Sequence, residues 1–516
     1  MIQNLARNGS VLSKSADFTQ NKFFWLGLAV LAGFLLRFCN LLQDKSYWGD
    51  EFFTVNLIQQ PLSRTLQFIL ADVHAPLYYF IERIWLGFFG VGSVSARFLS
   101  FAASIATIPA IYAMTRSLAG ERPANLAAFL VAVSPYHLQM ANEAREYAWA
   151  AFVGTMLTLS FLRLKPAGDR SFRFWSVLSL YLHHYFWPML TFLFFSLKSF
   201  IPKFSNRIRF FLPVIAIGMP MFFVVIYQMM FSEYAFDHNR ISESFSLLGI
   251  IKKWFGLIIH FSSGYYIAHV SIDDVRDIFQ RDWLAATVLV ASILLSLSAW
   301  LSAFLNKRKS GTRILSVAMI GFVVLVAGLT FVYPIRATAR YFACFSSLFF
   351  AVVAYGFYTM PRVLRNLFIG CWFLLNLFVS VYSVFYLKTD PIHREDYKAL
   401  THYLLEQSTP ADLIIGTRPS INHYLQEWNI ILPARHIDDQ TETVRLALNQ
   451  NKYTDIWIAF YGDKEERKNE SYRQTMRDLL RLYGYVDSGE VKRFGGPLGF
   501  NYLYRFSFAA DAAGSV

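Results

Sequence analysis

The chain has 516 residues, of which 55% are hydrophobic and 18% aromatic but only 16% charged, against about 25% charge in soluble domains. That composition excludes an ordinary soluble protein and describes a polytopic α-helical membrane protein. The net charge of +13 is therefore read for its sidedness across a bilayer and not as a nucleic-acid footprint, so no nucleic-acid partner is expected.

Residues 1–22 are polar, carry Arg7, Lys14 and Lys22, and read as a cytoplasmic N-terminal segment. The apolar run after them lacks a small-residue cleavage site, so it reads as a retained anchor. Runs of about 20 apolar residues predict 11 spans, at 23–43, 94–117, 123–140, 147–164, 173–184, 186–201, 208–230, 283–305, 313–333, 340–359 and 364–386. The 173–184 run is short enough to be half of a broken helix. Leu77 to Phe89 is apolar too, but it carries Glu82 and Arg83 mid-helix. A helix lying along the interface exposes those charges more cheaply than a span would.

With residue 1 cytoplasmic, the short basic connections all fall on the inner side, as the positive-inside rule asks. They hold Arg116 and Arg122, Arg163 to Arg173, Lys198 to Arg209, Lys307 to Arg313, and Arg362 with Arg365. Counting 77–89 as a span breaks the pattern. The Asp50 loop, the 141–146 loop, the His183-His184 corner, the 231–282 loop and everything after Leu387 then share the external face. Within 231–282, Ile250 to Phe261 reads as a helix.

Residues 23–387 form the expected transmembrane catalytic domain, and 388–516 a small extracytoplasmic α/β domain. In that tail, apolar spacing predicts helices over Glu395–Gln407, Thr441–Gln450 and Glu465–Tyr483. Asp412-Leu-Ile-Ile-Gly and Asp455-Ile-Trp-Ile-Ala-Phe read as buried strands. The tail has no G-x-G-x-x-G and no P-loop pattern, so nucleotide binding has no support. Cys39, Cys344 and Cys371 lie in apolar segments and read as small core residues.

Chemistry concentrates on the external face. Asp50 and Glu51 follow the first span among aromatics, in Asp44-Lys-Ser-Tyr-Trp-Gly-Asp50-Glu51. His74 opens His74-Ala-Pro76-Leu-Tyr-Tyr, ahead of Glu82 and Arg83. Glu143, Arg145, Glu146 and Tyr147 come in one run. His183, His184, Arg336, Arg340 and Tyr341 lie at later span ends. A carboxylate can take a proton from an acceptor hydroxyl, and arginine holds phosphate with paired donors. Each cluster also has a plainer reading: His74 turning the chain, Glu82 and Arg83 snorkelling, Arg145 neutralising its neighbours, Arg336 and Arg340 anchoring the interface. On a helix His183 and His184 face different ways, so one at most reaches a site.

These residues, in this order, resemble the GT-C superfamily of integral-membrane glycosyltransferases. The chain is most similar there to the branch holding the protein O-mannosyltransferases and the aminoarabinose lipid A transferases. Trp48-Gly-Asp50-Glu51 matches the acidic motif of the first external loop. His74-Ala-Pro76-Leu-Tyr-Tyr resembles the His-Pro-Pro-Leu-Tyr pattern, with Ala75 replacing a proline. Arg97-Phe-Leu-Ser, Ser134-Pro135-Tyr136 with Arg145-Glu146-Tyr147, and Arg340-Tyr341 resemble later family motifs.

The resemblance implies a polyprenyl-phosphate-linked sugar donor and transfer on the external side of a bacterial inner membrane. The acceptor would be an envelope glycan, lipid or protein. It implies Asp50 as the catalytic acid of the first loop, with Glu51 beside it and Glu143 or Glu146 as the second external-loop acid. Arg336, Arg340 and His184 are the candidates for holding the departing phosphate. The pattern at the second acid is Glu-x-x-Glu, not Asp-x-Asp, which leaves a divalent cation open; some members of the family work without a metal, so the resemblance implies no required cofactor. Two other classes compete. A transporter or flippase of a lipid-linked sugar would place charges at mid-span in two related halves. A scaffold subunit would leave the first-loop acids replaceable.

Overall fold

The computed structural model describes residues 22–71, 74–164, 170–199, 201–231, parts of 257–264, 283–305, 339–385, 396–416, 418–427, 430–431, 434–437, 441–462, 466–495 and 500–509. The predicted span 313–333, Arg336 and nearly all of the 250–261 helix lie outside those residues.

The chain starts with α1 (Lys22–Leu41), then three short helices, α2 (Gly49–Gln59), α3 (Leu62–Ala71) and α4 (Leu77–Phe89). Next come α5 (Ser93–Ala119), α6 (Glu121–Val133), α7 (Pro135–Ala141), α8 (Tyr147–Leu162), α9 (Arg170–Leu182), α10 (Phe186–Ser196) and α11 (Phe204–Phe231). The helical part closes with α12 (Trp283–Leu305), a 3₁₀ turn at Ala339–Phe342, α13 (Ala343–Thr359) and α14 (Arg362–Phe385).

Among the described residues five segments are long and apolar enough to cross a membrane: Phe23–Leu41, Ser93–Ala119, Phe204–Gln228, Arg340–Thr359 and Arg362–Phe385. Three further apolar helices, within α8, α10 and α12, are shorter. The 123–140 run differs from expectation because it is two helices. Ser134 caps α7 by accepting the His137 N–H (3.4 Å), and Pro135 sits in the first turn, where a missing N–H costs nothing. Apolar continuity hides such a break. Two pairs of helices meet at glycines: a Cβ on Gly154 of α8 would collide with the Cys344 carbonyl of α13, and one on Gly356 of α13 with the Ala299 carbonyl of α12. Small residues let helices approach this closely. One buried cation, Arg37 of α1, is satisfied by Ser104 Oγ (2.8 Å) and the carbonyls of Ala132 (2.8 Å) and Val131 (3.0 Å), so it pins α1 to α5 and α6.

The helix predicted at 77–89 is present as α4, and α2 and α3 lie with it. Ile84, Phe88 and Phe89 of α4 and Leu62, Leu66 and Phe68 of α3 are exposed, which gives this group an apolar outward face.

The tail holds α15 (Tyr397–Gln407), β1 (Leu413–Ile415), α16 (Arg418–Glu427), β2 (Arg435–Ile437), α17 (Thr441–Gln450), β3 (Asp455–Gly462), α18 (Glu466–Leu482), β4 (Tyr485–Gly495) and β5 (Phe500–Phe508). The sheet order is β2-β1-β3-β5-β4. β1 runs parallel to β2 and β3, and β5 antiparallel to β3 and β4. Side chains alternate across it. Ile456 and Ile458 face one core with Val444 and Leu480. Trp457 and Ala459 face another, which also takes in Tyr47, Phe52 and Val55 from the segment around α2. The tail therefore packs directly on the loop that carries Asp50.

Candidate active site

The site begins at the N-terminus of α2. Asp50 and Glu51 sit in its first turn, where the unpaired amides favour negative charge, but they point to different fates. Glu51 is fully buried. Its Oε1 accepts from Arg97 Nε (2.8 Å) and the Ala144 N–H (2.9 Å), and its Oε2 from Arg97 Nη2 (2.7 Å) and the Trp48 N–H (3.3 Å). Arg97 spends its other hydrogens on the carbonyls of Lys45 (2.7 Å) and Ser46 (3.0 Å). This two-pronged pair fastens α2 to α5 and to the 142–146 loop. Glu51 is thereby withheld from any substrate, contrary to its expected place beside Asp50 in the chemistry.

Asp50 keeps 36% of its side chain exposed, whereas Glu51 has 0% and Glu146 3%. Glu143 is buried as well, its Oε1 accepting from Gln139 Nε2 at 3.0 Å. Among the acids of this cluster Asp50 therefore presents its carboxylate outward. Its Oδ2 lies 2.9 Å from Arg340 Nη1. The Arg340 guanidinium in turn lies over the rings of Trp48 (5.0 Å), Tyr147 (5.6 Å) and Tyr341 (5.6 Å), whose faces attract a cation. Burial of its surroundings pushes the Asp50 carboxyl up, but the charges of Arg340, Arg145 and His74 outweigh that and hold it below the ordinary 3.8.

Behind Asp50 lies a second polar layer. Arg145 is 1% exposed. Its Nη1 reaches Thr54 Oγ1 (3.1 Å), the Tyr79 hydroxyl (3.3 Å) and the Asp50 carbonyl (3.4 Å), and its Nη2 donates to His74 Nε2 (2.8 Å). In a neutral ring His74 therefore carries its proton on Nδ1, 3.3 Å from Glu146 Oε1. Burial alone would raise the Glu146 carboxyl, but Arg145 and His74 hold it far below the usual range. The expected neutralising role of Arg145 is met, and Thr54 and Tyr79 extend it into a brace between α2, α4 and the 142–146 loop.

The remaining candidates divide. Arg83 is tied to the carbonyls of Ile58 (2.6 Å) and Gln60 (2.7 Å), where it closes the turn between α2 and α3. Glu82 lies buried beside Tyr78, apart from that brace. Loss of hydration raises its carboxyl to about 8, with the Tyr78 hydroxyl lowering it in part and Glu51 adding to the rise. Of the two histidines, the His183 ring packs among Tyr147 (6.2 Å), Tyr185 (5.4 Å) and Tyr341 (5.9 Å). His183 therefore stands in the aromatic group near Arg340, and its neighbour His184 is half-buried. Among the described residues no three His, Cys, Asp or Glu side chains gather as a metal-holding group.

Trp48, Thr54, Tyr79 and Arg97 contribute here without having been singled out from sequence as site residues. Arg97 did carry a signal, as a cation near the start of an apolar span.

Residues 73–227 match the family model described as dolichyl-phosphate-mannose-protein mannosyltransferase. The matched stretch holds His74, Arg145 and Glu146 and leaves out Asp50 and Arg340. The likeness to GT-C membrane glycosyltransferases rests on this match. No curated protein matches the chain in sequence. Similar solved structures include the oligosaccharyltransferase of Archaeoglobus fulgidus, at 13% identity and a TM-score of 0.47 over 93% of this chain and 72% of that one. ArnT from Cupriavidus metallidurans aligns over 99% of this chain and 100% of its own, at 13% identity and a TM-score of 0.38. The arabinofuranosyltransferase AftD from Mycobacteria aligns over 94% of this chain and 40% of its own, at 13% and 0.46.

Proposed function

We propose that the chain is a glycosyltransferase that moves a sugar from a polyprenyl-phosphate donor to an acceptor hydroxyl on the external face of the membrane. The acceptor class is an envelope glycan, lipid or protein. The observation that carries this reading is the Asp50–Arg340 pair, an outward-facing carboxylate 2.9 Å from a cation. The family match over residues 73–227 supports it.

In this reaction Asp50 takes the proton of the acceptor hydroxyl as the oxygen attacks the anomeric carbon. The bond from that carbon to the phosphate oxygen breaks, and its electron pair leaves with the polyprenyl phosphate. Arg340 holds the departing charge. Displacement from the opposite side inverts the anomeric centre. A carboxylate tied to arginine is a poor base, because the cation favours its ionised form. The donor phosphate resolves this by competing for Arg340. Once the guanidinium turns to phosphate, the Asp50 carboxylate loses its partner and gains basicity, so the base is strengthened when the donor is in place. Glu146, His74 and Arg145 act behind it as a fixed support.

The test is Asp50→Asn in full-length protein. Membranes carrying it should form none of the envelope glycan that a strain lacking the chain fails to make, while the protein accumulates normally. Transfer at the wild-type rate would remove Asp50 as the base.

A further inference from the structure

The tail domain does more than cover the membrane part: it grips the segment that aims Asp50. Tyr424 of α16 is fully buried. Its hydroxyl accepts the Tyr47 N–H at 2.7 Å and lies 3.1 Å from Ser46 Oγ. Ser46 Oγ itself donates to the Tyr47 carbonyl (3.2 Å), so the Tyr424 hydroxyl is the donor to Ser46. Both residues bonded by Tyr424 are thereby fixed just ahead of Trp48. The Ser46 carbonyl also accepts from Arg97, the residue that clamps Glu51.

Ring contacts repeat the grip. His423 packs on Tyr47 (5.2 Å) and Phe52 (5.5 Å), and Tyr397 of α15 meets Phe52 edge to face (5.1 Å). At the rim, Lys398 Nζ lies 2.6 Å from Asp44 Oδ2 and donates to the Asp44 carbonyl at 2.9 Å. Residues 44–52 are thus held on one side by Arg97 and on the other by two tail helices, with Asp50 at the held end.

We propose that Tyr424 is a positioning residue, through which the tail domain sets the placement of Asp50 against Arg340. The proposal rests on the glycosyl-transfer reading above and assigns the tail a part in that same site. Removing the hydroxyl leaves the buried Tyr47 amide without its acceptor, and the segment relaxes where it leads into α2.

The experiment uses Tyr424→Phe in the full chain, in membrane vesicles using their own lipid-linked sugar. Product is the envelope glycan missing from a strain lacking the chain. The expected result is a loss of about tenfold in rate, below the about hundredfold that an ångström of misplacement can cost. At limiting donor, where the profile reports the free enzyme, the acid limb should also move to higher pH, because Asp50 is faced by Arg340, Arg145, His74 and Glu146, and a looser fit weakens the hold of the cations. Should Tyr424→Phe fail to accumulate, Lys398→Met loosens the same segment at its rim and should move both readouts in the same direction by less. An unchanged rate, or a lower rate with an unmoved acid limb, overturns the proposal and leaves Tyr424 a packing residue. If the wild type forms no chain-dependent glycan, the glycosyl-transfer reading itself falls.

Discussion

Arg340 Nη1 lies 2.9 Å from Asp50 Oδ2, and this contact joins the start of α2 to the 3₁₀ turn leading into α13, almost three hundred residues later in the chain. Neither residue can be understood without the other. The carboxylate keeps the cation in place while no anion is bound, and the cation keeps the carboxylate ionised.

Arg340→Met should therefore act twice. With the phosphate holder gone, the transfer rate should fall by about a hundredfold, the usual cost of one transition-state donor. The acid limb of kcat/KM for the donor, which reports the free enzyme, should move to higher pH, because Asp50 loses the cation that most lowers its carboxyl. Asp50 also contributes stability that is present above the ordinary carboxyl value of 3.8 and is lost as pH falls through its depressed folded value. Rate against pH in membrane vesicles, with a parallel unfolding series below pH 5, checks both. An unchanged acid limb would separate Arg340 from Asp50.

The buried pair of Glu51 and Arg97 should behave as framework. Arg97→Met leaves the Glu51 carboxylate buried without its main partner, at a cost of about 3–5 kcal/mol. The variant should melt early or fail to accumulate, and activity should be lost with the fold. Replacing both, as Glu51→Leu with Arg97→Met, should restore much of the thermal stability. Asp50→Asn should lose activity with a melting point that falls far less than that of Arg97→Met. Thermal unfolding of the three purified variants distinguishes them, and a stable, inactive Arg97→Met would contradict this assignment.

Glu82 gives a pH dependence of the opposite sign. Burial raises its carboxyl to about 8 in the folded chain against an ordinary 4.5. The folded state thus binds more protons than the unfolded state between those values, and stability falls as pH rises through that window. Glu82→Gln, which keeps the uncharged shape, should raise the melting temperature at pH 8 and change it little at pH 5. Equal shifts at the two pH values would show that the carboxylate is ionised at both.

Sequence reasoning reached the parts of this molecule that depend on local pattern. Apolar runs marked α1, α5, α11 and α14, and the 77–89 run marked α4, although Glu82 is buried and Arg83 bonded to backbone carbonyls where both were expected to be exposed. In the tail, spacing located α15, α17, α18, β1 and β3. The break at Ser134-Pro135 was missed because both sides are equally apolar. Strands β4 and β5 went unread because each is defined by its partners in the sheet, not by a buried run of its own. The site followed the same rule. Asp50 and Arg340 were legible as residue types on one face. The separate roles of Asp50 and Glu51 were not, because adjacent acids on a helix turn apart by about 100° and only the packing of α5 decides which one is buried. Tyr424 carried no signal, since its partner is a backbone amide far away in the sequence.

Close packing at Gly356 supplies a prediction that does not depend on the chemistry. A Cβ there meets the backbone of Ala299, so Gly356→Val should push α12 from α13 and cost about 1–3 kcal/mol. Gly370, whose added Cβ would meet nothing within 4 Å, should tolerate the same change. Thermal unfolding of the two variants in detergent compares them, and equal melting points would contradict the close approach.

The most direct measurement is a structure of the full-length protein bound to undecaprenyl phosphate, a polyprenyl phosphate of the class proposed above as the leaving group. The account predicts the phosphate within hydrogen-bonding reach of Arg340, with the guanidinium turned from Asp50 and the carboxylate open to an acceptor. A phosphate bound elsewhere, with Arg340 and Asp50 still paired, would contradict it.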